Sequence, residues 1–362
     1  MGKFSFRPCP FGGIALYCSE RSAPEPKFRK TALLKAIVAT FFVLAASQGA
    51  EAACAGRNLL ETMPTEELAA LREATDRHVH AQGNFWRATR GAEVIHILGT
   101  YHVDDPRHDA AAERLAPYIE ASDTVLVEAG PEEYARLQSE IARDPSLVFM
   151  TDGPTLPELL GEADWQALSK ALGERNIPAF MASKMRPWFI AGMLSIPPCA
   201  KENLEAASNG LDARVIARAV AADIPVRALE PYDAVFGVFD KLGIEQQLDM
   251  IRATLLVDSN ADDQSATMSD IYFAEDARAI WEMGRLITHQ VTGKPQAEVD
   301  ADFALIEEAL VNGRNRAWIP LILDAAQDGQ VFAAFGALHL SGSQGVLQLL
   351  ENEGFTLERL PF

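Results

Sequence analysis

Cysteine is scarce in this chain, with four in 362 residues, and two of them, Cys9 and Cys18, fall within the first 53. Only Cys54 and Cys199 remain beyond that segment, so the rest of the chain holds at most one internal disulfide. Basic residues are also few. Against 51 Asp and Glu stand 32 Lys and Arg, a net charge of −19, which repels nucleic acid and anionic lipid. No long hydrophobic run is present. The longest, Ala32–Ala46, is shorter than the ~20 residues needed to cross a bilayer. Several catalytic signatures are missing too: G-x-x-x-x-G-K-[ST], His-Glu-x-x-His, G-x-S-x-G, and G-x-G-x-x-G after a strand. Their absence sets aside P-loop phosphate binding, helix-borne zinc proteolysis, the nucleophile elbow and dinucleotide binding. Low-complexity segments and solenoid repeats are absent as well.

What is present begins with a leader. Lys27-Phe-Arg-Lys30 precedes the apolar run, which ends in small residues at Ala50-Glu51-Ala52-Ala53, the grammar of an export signal with an A-x-A cleavage site. Residues 1–53 are therefore expected to be a signal peptide, giving a periplasmic or secreted protein; the alternative is an uncleaved membrane anchor. Glu51 stands where a lipid-attachment signal wants an aliphatic residue. Removal of 1–53 takes away 7 basic and 3 acidic residues and leaves 25 against 48. In an oxidising compartment, Cys54 and Cys199 are expected to form one disulfide, tying the N-terminal arm to the loop Ile196-Pro-Pro-Cys199.

The remainder, 54–362, reads as one α/β domain. A helix opens at Thr65 with a capping-box-like start. Phe85–Thr89 and Glu93–Leu98 read as strands of a hairpin turning at Arg90-Gly91. A helix over 106–120 and the strand Thr124–Glu128 then complete a βαβ unit with parallel pairing. The same grammar returns with a helix from Gly210, a strand at Pro225–Glu230, a strand at Gln330–Phe335, a helix from Gly345 and a closing strand at Thr356–Leu360. Stretches of about 131–195 and 234–327 carry few strand signals and read as helical insertions.

The chemistry lies at the strand ends. Gly-x-x-His occurs twice, as Gly99-Thr-Tyr-His102 and Gly336-Ala-Leu-His339, each directly after an apolar strand. This is the one internal repeat. Glu128 and Glu230 close two further strands. Side chains past the carboxyl ends of parallel strands converge on one crevice, so the two imidazoles are expected to meet there. Two imidazoles with one or two carboxylates suit a divalent transition ion, and a carboxylate outside the ligand set can serve as general base. The glycines are expected to let the chain leave the strand sharply. Arg314 and Asn315 lead into the last motif strand; either they hold a carboxylate or oxyanion, or they form a surface pair. Asp212 reads first as a charge favoured by a helix N-terminus. His96 reads as a satisfied core residue, His78 and His80 as partners of helix-terminal carbonyls, and His289 as solvent facing. His108 follows the first motif closely enough to line the site.

With both Gly-x-x-His motifs, Glu128, Gly210-Leu-Asp212, Leu229-Glu230 and Arg314-Asn315 in view, the chain resembles the TraB/GumN/PrgY family over about residues 54–362. Gly83-Asn-Phe-Trp-Arg, Gly153-Pro-Thr-Leu-Pro, Lys184-Met-Arg-Pro-Trp188 and the tail from His339 resemble its exported GumN-type branch. The resemblance implies an EreA/ChaN-like fold, a mixed and mostly parallel sheet with helical insertions, and kinship with the metal-dependent Tiki proteases. It also implies a metallopeptidase-like site with His102 and His339 as ligands, Glu128 as a further ligand or base, and Arg314 nearby; the reading taken from this is Mn, Co or Zn held by His102, His339 and Glu128, with Glu230 activating or positioning water and Arg314 and Asn315 orienting a peptide or protein substrate. Two other readings stay open: a non-catalytic protein binding haem or peptide, and a metal-free, esterase-like hydrolase.

Overall fold

The structure, a computed structural model, describes residues 56–199, 209–239 and 242–362. The expected signal segment and the Cys54 end of the expected disulfide lie outside the described residues. Among the described residues no helix is long and apolar enough to cross a membrane.

Six strands form one sheet: β1 (Phe85–Arg90), β2 (Glu93–Thr100), β3 (Thr124–Val127), β4 (Val226–Ala228), β5 (Val331–Gly336) and β6 (Thr356–Arg359). Their order is β4-β3-β5-β2-β1-β6. The β4-β3, β3-β5 and β5-β2 pairs are parallel, and β1 pairs antiparallel with both β2 and β6. The hairpin turns where expected, with Gly91 at φ 61°, a left-handed position that glycine adopts without steric cost. The βαβ expectation needs correcting. β2 and β3 are parallel but not neighbours, because β5 from the far end of the chain lies between them. In the β2-β5 register Gly99 faces Phe335 and Thr100 faces Gly336, so the two motifs are offset by one residue.

Alternation along β5 explains the layering. Val331, Ala333 and Phe335 point to one face, where they pack with Ile95, Ile97 and Leu126 against Trp318 and Ile322. Phe332 and Ala334 point to the other face, meeting Leu98, Val125, Leu115 and Val215. The first face is covered by a helix at Gly313–Asp328, the second by helices at Arg107–Glu120 and Leu211–Ala221. Phe332 and Phe335 are both 0% exposed, and truncating either to Ala is worth roughly 3–5 kcal/mol.

Three helices concern the site: α1 (Pro131–Arg143), α2 (Leu211–Ala221) and α3 (Gly313–Asp328). Among the described residues of 131–195 there is no strand, only an isolated bridge between Phe149 and Met185. Leu156, Leu168, Leu172 and Ile190 build a separate small core there, completed by Leu248 and Ile251 from the second helical stretch. Thr65 does not cap its helix; it is the first helical residue and Pro64 precedes it, a position where a missing N–H costs nothing.

Candidate active site at the strand ends

β2, β3, the segment after β4, and β5 deliver His102, Glu128, Glu230 and His339 to one edge of the sheet. The glycine of the second motif measures how close they come. A Cβ built on Gly336 would lie 3.3 Å from Glu128 Oε1, 3.3 Å from His102 Nε2 and 3.7 Å from His339 Cδ2. The two imidazoles are therefore separated there by no more than the sum of the last two distances. Gly336 has an ordinary φ of −50°, so glycine is needed here for space and not for backbone freedom. Gly99 is similar, since a Cβ on it would overlap Ala337 and Leu340.

Each imidazole is anchored through Nδ1. His339 Nδ1 is 2.6 Å from Asn315 Oδ1, and the Asn315 amide donates 2.8 Å to the Gln344 carbonyl and 3.3 Å to that of His339. Asn315 is 0% exposed. His102 Nδ1 is 3.1 Å from Asp212 Oδ1. Gly210 permits this contact: a Cβ there would collide with the His102 main chain, and Leu211 N–H donates 3.0 Å to the Tyr101 carbonyl. These anchors leave His102 Nε2 for the crevice and turn His339 Nε2 toward Glu128 and Arg314. His102 stands at the mouth with 60% of its side chain accessible, whereas His339 lies at the base with 6%, so the site is open on one side.

Glu128 is fixed between donors. Gly336 N–H donates 2.6 Å to Oε1, and Arg314 Nη2 donates 2.6 Å to Oε2. Arg314 also donates to Glu230 Oε1 through Nε at 2.6 Å and to Oε2 through Nη2 at 3.0 Å. Its Nη1 reaches the Leu310 carbonyl at 3.0 Å and lies 3.3 Å from His339 Nε2. The guanidinium is thus a bidentate clamp, directed inward by a π-helical turn at Glu308–Asn312 immediately before α3. Such turns are frequent at functional sites.

Burial opposes ionisation of Glu128, but the His339 ring, Arg314, His102 and the Gly336 N–H outweigh it and hold its carboxyl at about 2. Burial lowers His339 to about 3, and the positive charges of Arg314 and His102 add to the effect, so this imidazole is neutral at pH 7. For His102, whose ring stays accessible at the mouth, partial desolvation is outweighed by Asp212 and Glu128, which raise it to about 9.

All six sequence-derived candidates meet here, in two distinct settings. His102, Glu128, Glu230 and Arg314 line the crevice, and His339 lies beneath it, its Nε2 3.9 Å from Glu128 Oε1. Glu230 has both oxygens on Arg314, and Oε1 also accepts 2.9 Å from Trp318 Nε1; Asn315 sits behind His339. Asp212 is a site group, not merely a helix-terminal charge, and the tripeptide Gly210-Leu-Asp212 was its signal. Other histidines stay outside. His108 is buried with Nε2 on the Val103 carbonyl at 3.1 Å. His96 is buried, but its Nδ1 has no partner. His78 and His80 pair with carboxylates, Glu282 at 3.2 Å and Glu351 at 3.0 Å, in place of helix carbonyls. His289 is half-buried, with Nδ1 2.8 Å from the Lys294 carbonyl.

The donor set suits a transition ion: two Nε2 atoms with a carboxylate between them, each ring held through Nδ1 by an oxygen acceptor as metal-ligating histidines are. The spacing is looser than a formed centre. Among the described residues no group of three His, Cys, Asp or Glu stands close enough to hold an ion, and the Arg314 guanidinium lies against both Glu128 and His339.

No curated protein matches the chain. A sequence model of the TraB/PrgY/gumN family matches residues 84–359, a span that takes in all six strands, both Gly-x-x-His motifs and every side chain of the crevice. The chain belongs to the TraB/PrgY/gumN family.

Proposed function

We propose that this protein is an exported, metal-dependent hydrolase of peptide bonds, with His102, His339 and Glu128 as the ligand set. One observation carries the reading. Two imidazoles 237 positions apart present their Nε2 atoms to the same carboxylate, and each is locked by an oxygen on Nδ1. A divalent Mn, Co or Zn ion held there would supply a Lewis acid and a bound water of near-neutral pKa. Asp212 and Asn315 keep the rings in orientation. Arg314, with Nη1 beside His339, orients the substrate carbonyl and meets negative charge developing on its oxygen. Glu230 aims the guanidinium, since both its oxygens are already committed to it. Export rests on the leader sequence.

The clamp on Glu128 favours a second reading, metal-free acid–base hydrolysis with the His102–Asp212 pair beside Glu128. Elemental analysis and calorimetry of the purified protein with each ion separate the two. The first reading expects one ion per chain, lost in His339→Ala, and peptide cleavage abolished by chelation and restored by the ion. Cleavage that survives exhaustive chelation establishes the second, and the absence of ion uptake refutes the first.

A further inference from the structure

The helix that follows Glu128 is amphipathic yet unburied. α1 carries Tyr134, Leu137 and Ile141 at the i, i+3, i+7 spacing of an apolar stripe, which in a soluble protein normally faces a core. None of its 13 residues is buried, and Tyr134 is 52% exposed. What Tyr134 and Leu137 do line is the crevice, opposite His102, Glu128 and Arg314, together with Ile216 of α2 and Tyr232 after β4. The helix is held in that place at both ends of the contact. At its start Pro131 occupies the first turn, and Glu133 accepts 3.0 Å from Gly130 N–H. Farther along, the Arg136 guanidinium lies 4.5 Å from the Tyr232 ring centroid.

We infer that this half of the crevice is a specificity subsite, walled by Tyr134, Leu137, Ile216 and Tyr232, that takes one aliphatic or aromatic side chain of a peptide beside the bond to be cleaved. The inference rests on the hydrolase reading for the words "to be cleaved" and on the cavity alone for the binding preference. Size supports it, because about 280 Å³ is room enough for one or two side chains. Charge supports it as well. The lining carboxylates Glu128, Glu133, Asp212 and Glu230 are already engaged by Arg314, Gly130 N–H and His102, so an acidic side chain entering the cavity meets four like charges, and the cations that line it are already paired. An apolar side chain loses water and displaces nothing; burial of one leucine corresponds to roughly tenfold or more in affinity.

The test uses the full chain and capped tripeptides acetyl-Ala-Xaa-Ala-amide, with Xaa as Leu, Phe, Ser, Lys or Asp. Affinities are measured by equilibrium dialysis and cleavage as kcat/KM. Leu and Phe are expected to bind roughly tenfold or more tighter than Ser, and Asp weakest. Leu137→Ser and, separately, Tyr134→Ala should each shrink the Leu-to-Ser ratio severalfold, with folding checked by circular dichroism. Equal affinity across the series, a preference for Lys over Leu, or a ratio untouched by both substitutions overturns the subsite. A Leu preference that depends on Leu137, in a protein that cleaves none of the peptides, sustains the subsite and sinks the hydrolase reading. Cleavage of every peptide at one rate and with one affinity does the reverse.

Discussion

Replacing Arg314 by Met tests the arrangement of the crevice most directly. The guanidinium contacts Glu128, Glu230 and the Leu310 carbonyl within 3.0 Å, and it stacks 5.0 Å from the Trp318 ring centroid. Arg314, Glu128 and Glu230 keep only 22%, 20% and 14% of their side-chain surface. Removing the cation leaves two carboxylates in a poorly solvated pocket, a loss of roughly 3–5 kcal/mol. With an unfolding entropy of ~2.1 cal/mol/K per residue, that corresponds to a fall in Tm of about 5–8 °C. Denaturant unfolding at pH 7 reads the loss as a lower midpoint at unchanged slope. A second substitution, Glu230→Gln, removes one of the stranded charges, so the double variant should recover roughly 1–2 kcal/mol relative to Arg314→Met alone. The pH dependence has a definite sign. Glu128 is held at about 2 in the folded state, against ~4.3 for an ordinary glutamate. Its stabilising contribution is therefore complete above the ordinary value and vanishes as pH falls through the folded one. The deficit of Arg314→Met should accordingly narrow between about pH 4.5 and 2. A loss under ~1 kcal/mol at pH 7, or a double variant no more stable than the single one, refutes the clamp.

Three further outcomes follow from burial, charge and space. Glu282 is 3% accessible, with His78 at 3.2 Å, Arg278 at 2.7 Å and Arg285 at 2.9 Å; burial opposes its charge, but these partners hold it at about 2. Glu282→Gln should cost roughly 3 kcal/mol at pH 7, and the gap to the parent should close as pH drops from about 4.5 to 2 in a urea titration series. Gly336→Ala places a methyl 3.3 Å from both Glu128 Oε1 and His102 Nε2, so metal uptake or turnover should fall by at least an order of magnitude. Gly173→Ala, on a helix surface with nothing within 4 Å of the new carbon, should instead raise stability by up to ~1 kcal/mol.

Local pattern encodes the elements of this fold, and long-range order is where reading them one by one stops. The hairpin at Gly91, the strand leading to Glu128 and the helices of 131–195 all follow from turn residues and periodicity. Nothing in β2, the following helix or β3 announces that β5 will part the two strands, because both neighbours offer β3 equally apolar edges. The site divides in the same way. His102, Glu128 and His339 were legible as strand ends, since a polar residue after an apolar run has few structural reasons to be there. Asp212 was masked by a sufficient local explanation, the helix dipole. Glu230 carried the same signal as Glu128, but its partner Arg314 lies 84 residues away and depends on a π-helical turn that no simple repeat betrays.

The position of β5 also orders events during biosynthesis. The strand at the middle of the sheet is among the last to leave the ribosome, so β2 and β3 wait with bare edges, open to unwanted pairing, until residues 331–336 slot between them. The crevice has no earlier existence, as His339 and the Gly336 amide arrive with that strand. Loss of the final 32 residues, from Val331 onward, would therefore remove the middle of the sheet and one imidazole together, and the His102–Glu128–His339 cluster is incomplete until the closing segment has docked.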